Sequence, residues 1–558
     1  MILQQLNKDS ERLIGEMPPP MFDKKPVRWL IDLKSDGTFR GWIRLSSGTE
    51  AGKDPGKEMF VPFITRSSNI APALLADTPG YVLGIMDSKN PEKKHQAFVD
   101  LVKKCAEKTK LPSVEAVLKF LSSEKLPDPP EGMQEGDRIT FRVDGELPIE
   151  HKKVQEFWAL YTSDPRSKHG QCLVCGRENI PLEVNLPVKI KGVPGGQPSG
   201  TQIVSANADA FESYGLERAL TSPICRQCGE KFGKALNALL SHENSHLRVG
   251  PLVYVFWSVD APGFSPLSFL REPDPNLVKD LLSSYSTGKK VLIEEDTAAF
   301  YATALSAAGG RVVVRDWLST TVGSAKTSLA RWFELQDVVD WDGSPGRPLG
   351  IREMALSLYR KVDDIPAWVI KDLVSAALHQ TLLPDSILSL AVRRSQVSGS
   401  EEPKVTHSRA AVIKAVLSQN LPLEEAKNMT ELNATSKNPA YLCGRLLAVL
   451  ESVQRQAVPG IKGTLVGSFF GSASSAPASV FGNLLRLAQS HLEKLRKTNE
   501  PAYHALQTRI ESILADLEAF PSTLSLREQA LFCLGYYHQR AADRKSARER
   551  SQANSDEE

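Results

Sequence analysis

Cys172-Leu-Val-Cys175-Gly176 and Cys225-Arg-Gln-Cys228-Gly229 decide how the first half of this chain must fold, because each places two thiols on one tight turn. Four thiolates are what a closed tetrahedral Zn²⁺ site needs. The glycine behind each pair suits a chain that folds back beneath a metal, where a positive φ costs glycine nothing. One Cys-x-x-Cys alone would equally suit a redox dithiol, and four free thiols are the other alternative. The repetition of the pair with the same trailing glycine points to structural zinc. A metal here closes a loop of 49 intervening residues and fixes whatever that loop displays.

The loop displays Val188-Lys-Ile-Lys-Gly-Val-Pro-Gly-Gly-Gln-Pro-Ser-Gly-Thr201. Its glycines permit close backbone approach to a ligand. Lys189, Lys191, Gln197, Ser199 and Thr201 offer charge and hydrogen-bond donors suited to phosphates or base edges. A flexible surface loop with incidental lysines accounts for the same residues.

Composition sets the outer limits. A chain of 558 residues has room for two or more domains, and 41% hydrophobic with 24% charged residues is ordinary for a globular protein. The start lacks a signal-peptide core and the longest apolar run, near Pro251 to Val259, is too short to span a bilayer, so a cytoplasmic protein with no membrane partner is expected. Seven cysteines, with Cys105, Cys443 and Cys533 scattered, fit a reducing compartment. A net charge of +2 from 68 basic and 66 acidic residues excludes a globally basic coat, so a polyanion must be gripped by local patches.

Outward from the cysteines, the fold reads as α+β. Val27 to Leu33 and Phe39 to Leu45 alternate around Ser35-Asp-Gly37 and predict a β-hairpin. Met59 to Thr65 and Tyr81 to Ile85 predict further strands. Between them, Arg66 and Asn69 stand on a polar connector from which they reach a phosphate and a base edge, unless the connector is a plain turn. Asn90-Pro91 predicts a capped helix start, a second helix follows from about Ser113, Arg138 to Val143 predicts a strand, and Glu150 to Leu160 a helix. Gly310-Arg-Val-Val-Val-Arg315 predicts a strand with Arg311, Val313 and Arg315 on one face, either for a phosphate backbone or as an ion-paired edge.

Two segments resemble enzyme signatures. His242-Glu-Asn-Ser-His246 matches the zinc-protease pattern, with His242 and His246 as ligands and Glu243 as base, but it falls at a helix end rich in Ser and Asn, where a solvated terminus is the alternative. Gly323-Ser-Ala-Lys-Thr327 lacks the glycine pattern of a phosphate-binding loop. A non-enzymatic protein is expected.

From Trp332 onward the pattern is helical. Leu442, Leu446, Val449 and Val453 form one stripe, Val480, Leu484, Leu487, Leu492 and Leu495 a second, and Leu506, Ile510, Ile513 and Leu517 a third. Ser525-Leu-Arg-Glu528 is a capping box that opens a fourth helix with Leu526, Ala530 and Cys533. An antiparallel four-helix bundle follows, with a disordered tail beyond Arg540. The expected domains are residues 1–345, containing a zinc-knuckle module over about 165–240, a helical connecting region over 346–428, and the bundle over 429–558.

Six peptides carry a resemblance: Arg66-Ser-Ser-Asn-Ile-Ala-Pro72, Lys191-Gly-Val-Pro-Gly-Gly-Gln197, Ser205-Ala-Asn-Ala-Asp-Ala-Phe-Glu-Ser-Tyr-Gly215, Gly310-Arg-Val-Val-Val-Arg-Asp-Trp317, Ala440-Tyr-Leu-Cys-Gly-Arg-Leu-Leu447 and Leu534-Gly-Tyr-Tyr-His-Gln539. Together they resemble the large subunit of the type I-C CRISPR interference complex, Cascade, nearly end to end. The resemblance implies recognition of a protospacer-adjacent motif in double-stranded DNA, duplex opening, R-loop formation, and a hold on the displaced strand. It implies as partners the backbone and RNA-end-binding subunits that carry CRISPR RNA, a small subunit, and a recruited helicase-nuclease. It also implies that the small subunit can arise from an internal start, for which Met429 is the only methionine after Met354. Such a fragment would hold the displaced strand through Arg486, Lys494, Arg496 and Lys497, which otherwise form a solvated helix face.

Overall fold

Ser35-Asp36-Gly37 forms the predicted turn. Gly37 takes a φ of 93° and donates its amide to Lys34 O at 2.9 Å, while Thr38 N donates to Asp36 Oδ1 at 2.8 Å. This hairpin belongs to the first of two units in the computed structural model, one made of Met1–Ile190 and Ser199–Ala238, the other of Lys191–Pro198 and Leu239–Glu558. The structure describes residues 2–16, 18–48, 54–64, 66, 70–85, 90–163, 167–286, 294–308, 310–397 and 403–556.

In chain order the first unit contains α1 (Ile2–Ile14), β1 (Phe22–Val27), β2 (Trp29–Leu33), β3 (Phe39–Arg44), β4 (Lys57–Pro62), β5 (Ala76–Asp77), α2 (Pro79–Val82), α3 (Pro91–Thr109), α4 (Pro112–Leu121), β6 (Ile139–Val143), α5 (Lys152–Tyr161), β7 (Lys168–Gly170), β8 (Ile180–Leu182) and most of α6 (Arg226–Ser241). A sheet of order β3-β2-β6-β5 is parallel only between β2 and β6. Phe98, Leu101, Val102 and Cys105 recur along α3 at helical spacing and share a core with Val117, Phe120, Ile31 and Phe141. Each such side chain taken out of water contributes about 1.5–3 kcal/mol.

Two expectations fail here. Tyr81 to Ile85 is not a strand, because Pro79 opens the short helix α2, in which Tyr81 and Val82 are buried. Asn90 does not cap α3 with its side chain: its φ of 55° is left-handed, and Pro91 starts the helix without that bond.

The second unit contains β9 (His246–Val249), β10 (Leu252–Trp257), α7 (Leu267–Leu270), α8 (Pro275–Ser286), β11 (Ala299–Ala308), β12 (Arg311–Thr321), α9 (Val322–Gln336), α10 (Ile351–Ser357), α11 (Ala367–His379), α12 (Asp385–Val397), α13 (His407–Ser418), α14 (Leu423–Lys427), α15 (Pro439–Ala457), α16 (Leu465–Ser475), α17 (Pro477–Thr498), α18 (Glu500–Ala515) and α19 (Leu526–Asp556). Its sheet, of order β12-β11-β10-β9, is antiparallel throughout. The register slips between Ala304 and Leu305, which face Asp316 and Val314, so Arg315 is the extra residue of a β-bulge. The bulge breaks strict alternation: Val314 and Arg315 are both exposed, and Arg311 and Arg315 do not share one regular face.

Every residue of α13 is buried, including His407, Arg409 and Lys414, so its polar groups must find partners inside the unit. Its charges are satisfied by backbone: Arg409 Nε donates to Ser357 O at 2.9 Å, and Lys414 Nζ to Glu334 O at 2.9 Å. Burial pushes the Lys414 pKa down to about 8.

The stretch expected as four helices contains five. The additional helix, α16, buries Val466, Phe470 and Ala473, a stripe interrupted in sequence by Gly467, Gly471 and several serines. Leu442, Leu446, Val449 and Val453 are fully buried, whereas Leu487 is 44% exposed and leaves the second stripe. The capping box at Ser525 forms, with Glu528 Oε2 accepting from Ser525 N at 2.7 Å. The chain beyond Arg540 is helical to Asp556, because its basic residues find partners: Arg544 donates to Trp341 O and Arg548 pairs with Asp342, both at 2.9 Å.

Candidate metal centre and nucleic-acid interface

The four cysteine sulfurs all lie within 4.8 Å of one another, with Cys175 Sγ and Cys225 Sγ 4.0 Å apart. A tetrahedron with Zn–S bonds of about 2.3 Å has sulfur–sulfur edges of about 3.8 Å, so the cluster is sized for one such ion. The two pairs are built differently. Gly176 N donates to Cys172 O at 2.8 Å and takes the positive φ, 73°, expected of a turn, whereas Cys228 and Gly229 lie in the first turn of α6, where Gly229 N donates to Cys225 O at 3.0 Å without a positive φ. Cys225 N donates to Cys172 Sγ at 3.4 Å, and Arg177 reaches both Cys175 Sγ and Cys225 Sγ, at 3.5 and 3.9 Å.

Electrostatics divides the sulfurs. A hydrogen bond from Cys228, together with the other thiols around it, holds the Cys225 pKa down to about 5 despite burial, whereas Cys228 is pushed up by the same bond and by burial. A divalent cation would take the place of that shared proton and let all four sulfurs ionise. With four protein ligands the site leaves no open position, which is the form of a structural metal site.

Ile190 and Thr201 close the base of the glycine-rich loop, exchanging N–H···O bonds of 2.9 and 2.8 Å. Gly200 is required there: its φ is 95°, and a Cβ would lie 2.7 Å from Lys189 Cβ. Lys189 O accepts from Asn237 Nδ2 at 2.9 Å. Ser199 is exposed, while Thr201 is turned inward at 2% exposure. Arg66 is engaged within its own unit, with Nη2 on the buried Asp77, Nε on Ala71 O at 2.8 Å and its guanidinium 4.4 Å from the Tyr81 ring centre. Asn69 lies outside the described residues.

In the second unit the loop segment Lys191–Pro198 is anchored by Ala307 N, which donates to Pro194 O at 3.0 Å. A Cβ at Gly192 would stand 2.9 Å from Arg248 Nη2, placing that exposed arginine of β9 against the loop. Ala307 and Ala308 pair with Val312 and Arg311, so Arg311 lies at the same end of the β11–β12 hairpin. Lys191 is thus next in the chain to the glycine that Arg248 of edge strand β9 approaches, Gln197 is exposed on the same segment, and Arg311 stands on β12, the opposite edge strand of the sheet, at the hairpin end that anchors Pro194. Arg315 stands further along, its Nε donating to Ser306 Oγ at 2.8 Å. Arg248 carries no signal in the sequence, being a lone arginine between Leu247 and Val249. Arg486, Lys494, Arg496 and Lys497 all lie on α17, where Arg496 and Lys497 pair with Glu493 at 2.9 and 3.5 Å.

His242-Glu-Asn-Ser-His246 does not form one helical face. α6 ends at Ser241, Glu243–Ser245 is a 3₁₀ turn and His246 begins β9. His242 Nδ1 accepts from Asn244 N at 3.3 Å, and His246 Nδ1 is 3.0 Å from His242 O. Gly323-Ser-Ala-Lys-Thr327 lies inside α9, and its Lys326 pairs with Asp296 of the preceding 3₁₀ turn at 2.7 Å. Among the described residues, no helix is long and apolar enough to cross a membrane.

These features define a mixed α/β protein with a tetrathiolate metal-type module and a lysine-bearing, glycine-rich loop. The particular family follows from comparison: residues 2–543 match the family described as CRISPR-associated protein (Cas_Csd1), and the chain belongs to it. No curated protein matches the chain.

Proposed function

We propose that the chain is the large subunit of a type I-C Cascade complex, a non-catalytic cytoplasmic protein that recognises the protospacer-adjacent motif, begins duplex opening and R-loop formation, and holds the displaced strand. The observation that carries this reading is the family match across nearly the whole chain. The chemistry agrees with it. Lys191 with Arg248 beside the loop, and Arg311 at the end of the β11–β12 hairpin, supply phosphate contacts, and Gln197 supplies the amide needed to read a base edge. Structural Zn²⁺ on Cys172, Cys175, Cys225 and Cys228 fixes the module that carries the loop's base. Partner subunits bring CRISPR RNA, whose pairing reads the remaining sequence, and a separate helicase-nuclease cuts.

A small subunit beginning at Met429 belongs to the same proposal. α19 packs on α12 and α13 as well as α15, with Gln396 Nε2 of α12 donating to Gln529 Oε1 at 3.0 Å, and it also holds the segment after α9, where Tyr537 O–H donates to Val339 O at 2.9 Å. A fragment starting at Met429 lacks those partners and must cover that face of α19 on another subunit.

Co-expression of the tagged chain with its neighbouring genes tests the reading. Short RNA, partner subunits and a C-terminal fragment of this chain should copurify, and the assembly should retain motif-bearing duplex over motif-free duplex. An RNA-free chain that treats both duplexes alike would refute it.

A further inference from the structure

Five cationic side chains converge on one cavity of the second unit. It measures about 190 Å³ and is lined by Lys404, Arg455, Lys462, Arg540 and Arg544, with Glu451 as the carboxylate among its lining residues. Glu451, only 2% exposed, is held by four groups: Arg455 at 2.9 Å, Arg540 at 3.5 Å, the Tyr536 hydroxyl at 2.7 Å and the Thr464 hydroxyl at 2.9 Å. Burial alone would raise its pKa, but Arg540, Tyr536 and Arg455 overcome burial and keep it ionised. The carboxylate thus fixes two arginines in place while offsetting one of the five positive charges.

Arg544 adds a second constraint. Its Nη1 donates to Trp341 O at 2.9 Å and its guanidinium sits 4.8 Å from the Trp341 ring centre, while burial and the like charge of Arg540 lower its pKa. Like charges gathered in a partly dehydrated space repel unless an anion enters. The planar donor forks of arginine match the oxygens of phosphate. The volume holds about six waters at roughly 30 Å³ each, enough for one phosphate group and below the ~300 Å³ at which pockets for whole small molecules begin. The remainder of any ligand must stay outside, where Trp341, 57% exposed, offers a ring for stacking.

We propose that this cavity is a phosphate site, in which Arg455, Arg540 and Arg544, flanked by Lys404 and Lys462, take one phosphate group. The group comes from a single nucleic-acid strand or from a free phosphorylated compound, since both present the same chemistry. The site stands on this cavity alone and does not depend on motif recognition.

The test uses the purified full-length chain and inorganic phosphate followed by ³¹P NMR. Wild type should broaden and shift the resonance. The double variant Arg455→Gln/Lys462→Gln should weaken apparent affinity by about ten-fold or more with an unchanged unfolding midpoint. Should the double variant unfold early, Lys462→Glu, an exposed change between α15 and α16, gives the same readout. Displacement of phosphate by an oligothymidylate of about 12 nucleotides identifies a strand as the source, and failure to displace identifies a small phosphorylated compound. No broadening by wild type, or equal broadening by wild type and a folded variant, overturns the site.

Discussion

Cys175 Sγ and Cys225 Sγ lie 4.0 Å apart although 49 residues separate them in the chain, and the other two sulfurs complete a cluster no wider than 4.8 Å. Protein purified without chelator should carry about one zinc per chain. Cys172→Ser should lose it and lower the unfolding midpoint, because metal binding is coupled to folding of the loop it closes. Metal analysis checks this directly; a Cys172→Ser protein with full stoichiometric metal refutes the four-cysteine site.

Arg66 and Lys191 should behave differently when removed. Arg66→Ala leaves Asp77 buried without its guanidinium, which costs about 1–3 kcal/mol of stability. Lys191→Ala and Arg248→Ala touch exposed side chains and should barely alter stability. Each should instead weaken all duplexes about equally and reduce the salt slope of DNA binding by about one. Gln197→Ala should narrow the loss to motif-bearing DNA. Binding isotherms at several salt concentrations, beside urea unfolding, separate these outcomes, and equal losses for Lys191→Ala and Gln197→Ala on both DNA classes would sink the assignment.

His538 makes the second unit sensitive to mild acid. It is 1% exposed, and the Tyr441 hydroxyl, which accepts from Asn433 N, is 3.0 Å from Nδ1 and positioned to donate to it. Burial, with a smaller effect from Lys414, pulls its pKa from the ordinary value of 6.5 down to about 3. The unfolded chain therefore takes the proton first. The stability from neutral His538 is fully present above pH 6.5 and is lost as pH falls towards 3. Between pH 6.5 and 5, before most carboxylates titrate, wild type should lose up to about 2 kcal/mol more than His538→Gln. Unfolding of both proteins across that window decides it; parallel pH profiles would show that His538 is not the titrating group.

What was legible in the sequence were the features with a local cause. The cysteine turns, the Asp-Gly hairpin, the Ser525 capping box and the stripe from Leu442 to Val453 depend on spacing within a few residues. Features set by distant partners were not legible. The bulge at Arg315 depends on the register with Leu305, and the helical continuation past Arg540 on Trp341 and Asp342. The basic residues beside the loop were half legible: the loop lysine stood out, whereas Arg248 becomes visible only once Gly192 is seen against it.

The peptides Ala440–Leu447 and Leu534–Gln539 meet where α15 crosses α19. Arg445 Nε donates to Gln539 Oε1 at 3.3 Å, and a glycine on each helix allows the backbones to touch. A Cβ at Gly444 would lie 2.0 Å from Phe532 O, and one at Gly535 would lie 2.2 Å from Tyr441 O. Both obstacles are backbone, so neither can swing aside. In an open helix, Gly→Ala favours folding by about 0.5–1 kcal/mol. Gly482 in α17 is such a position, with no atom within 4 Å of the added methyl. Gly482→Ala should therefore stabilise the protein by about that amount, whereas Gly444→Ala and Gly535→Ala should each destabilise it by about 3 kcal/mol or more as α15 and α19 are forced apart. Urea unfolding of the three variants makes the comparison. Gly444→Ala as stable as wild type would mean that the two helices do not cross in contact, and the arrangement of the C-terminal helices would have to be revised.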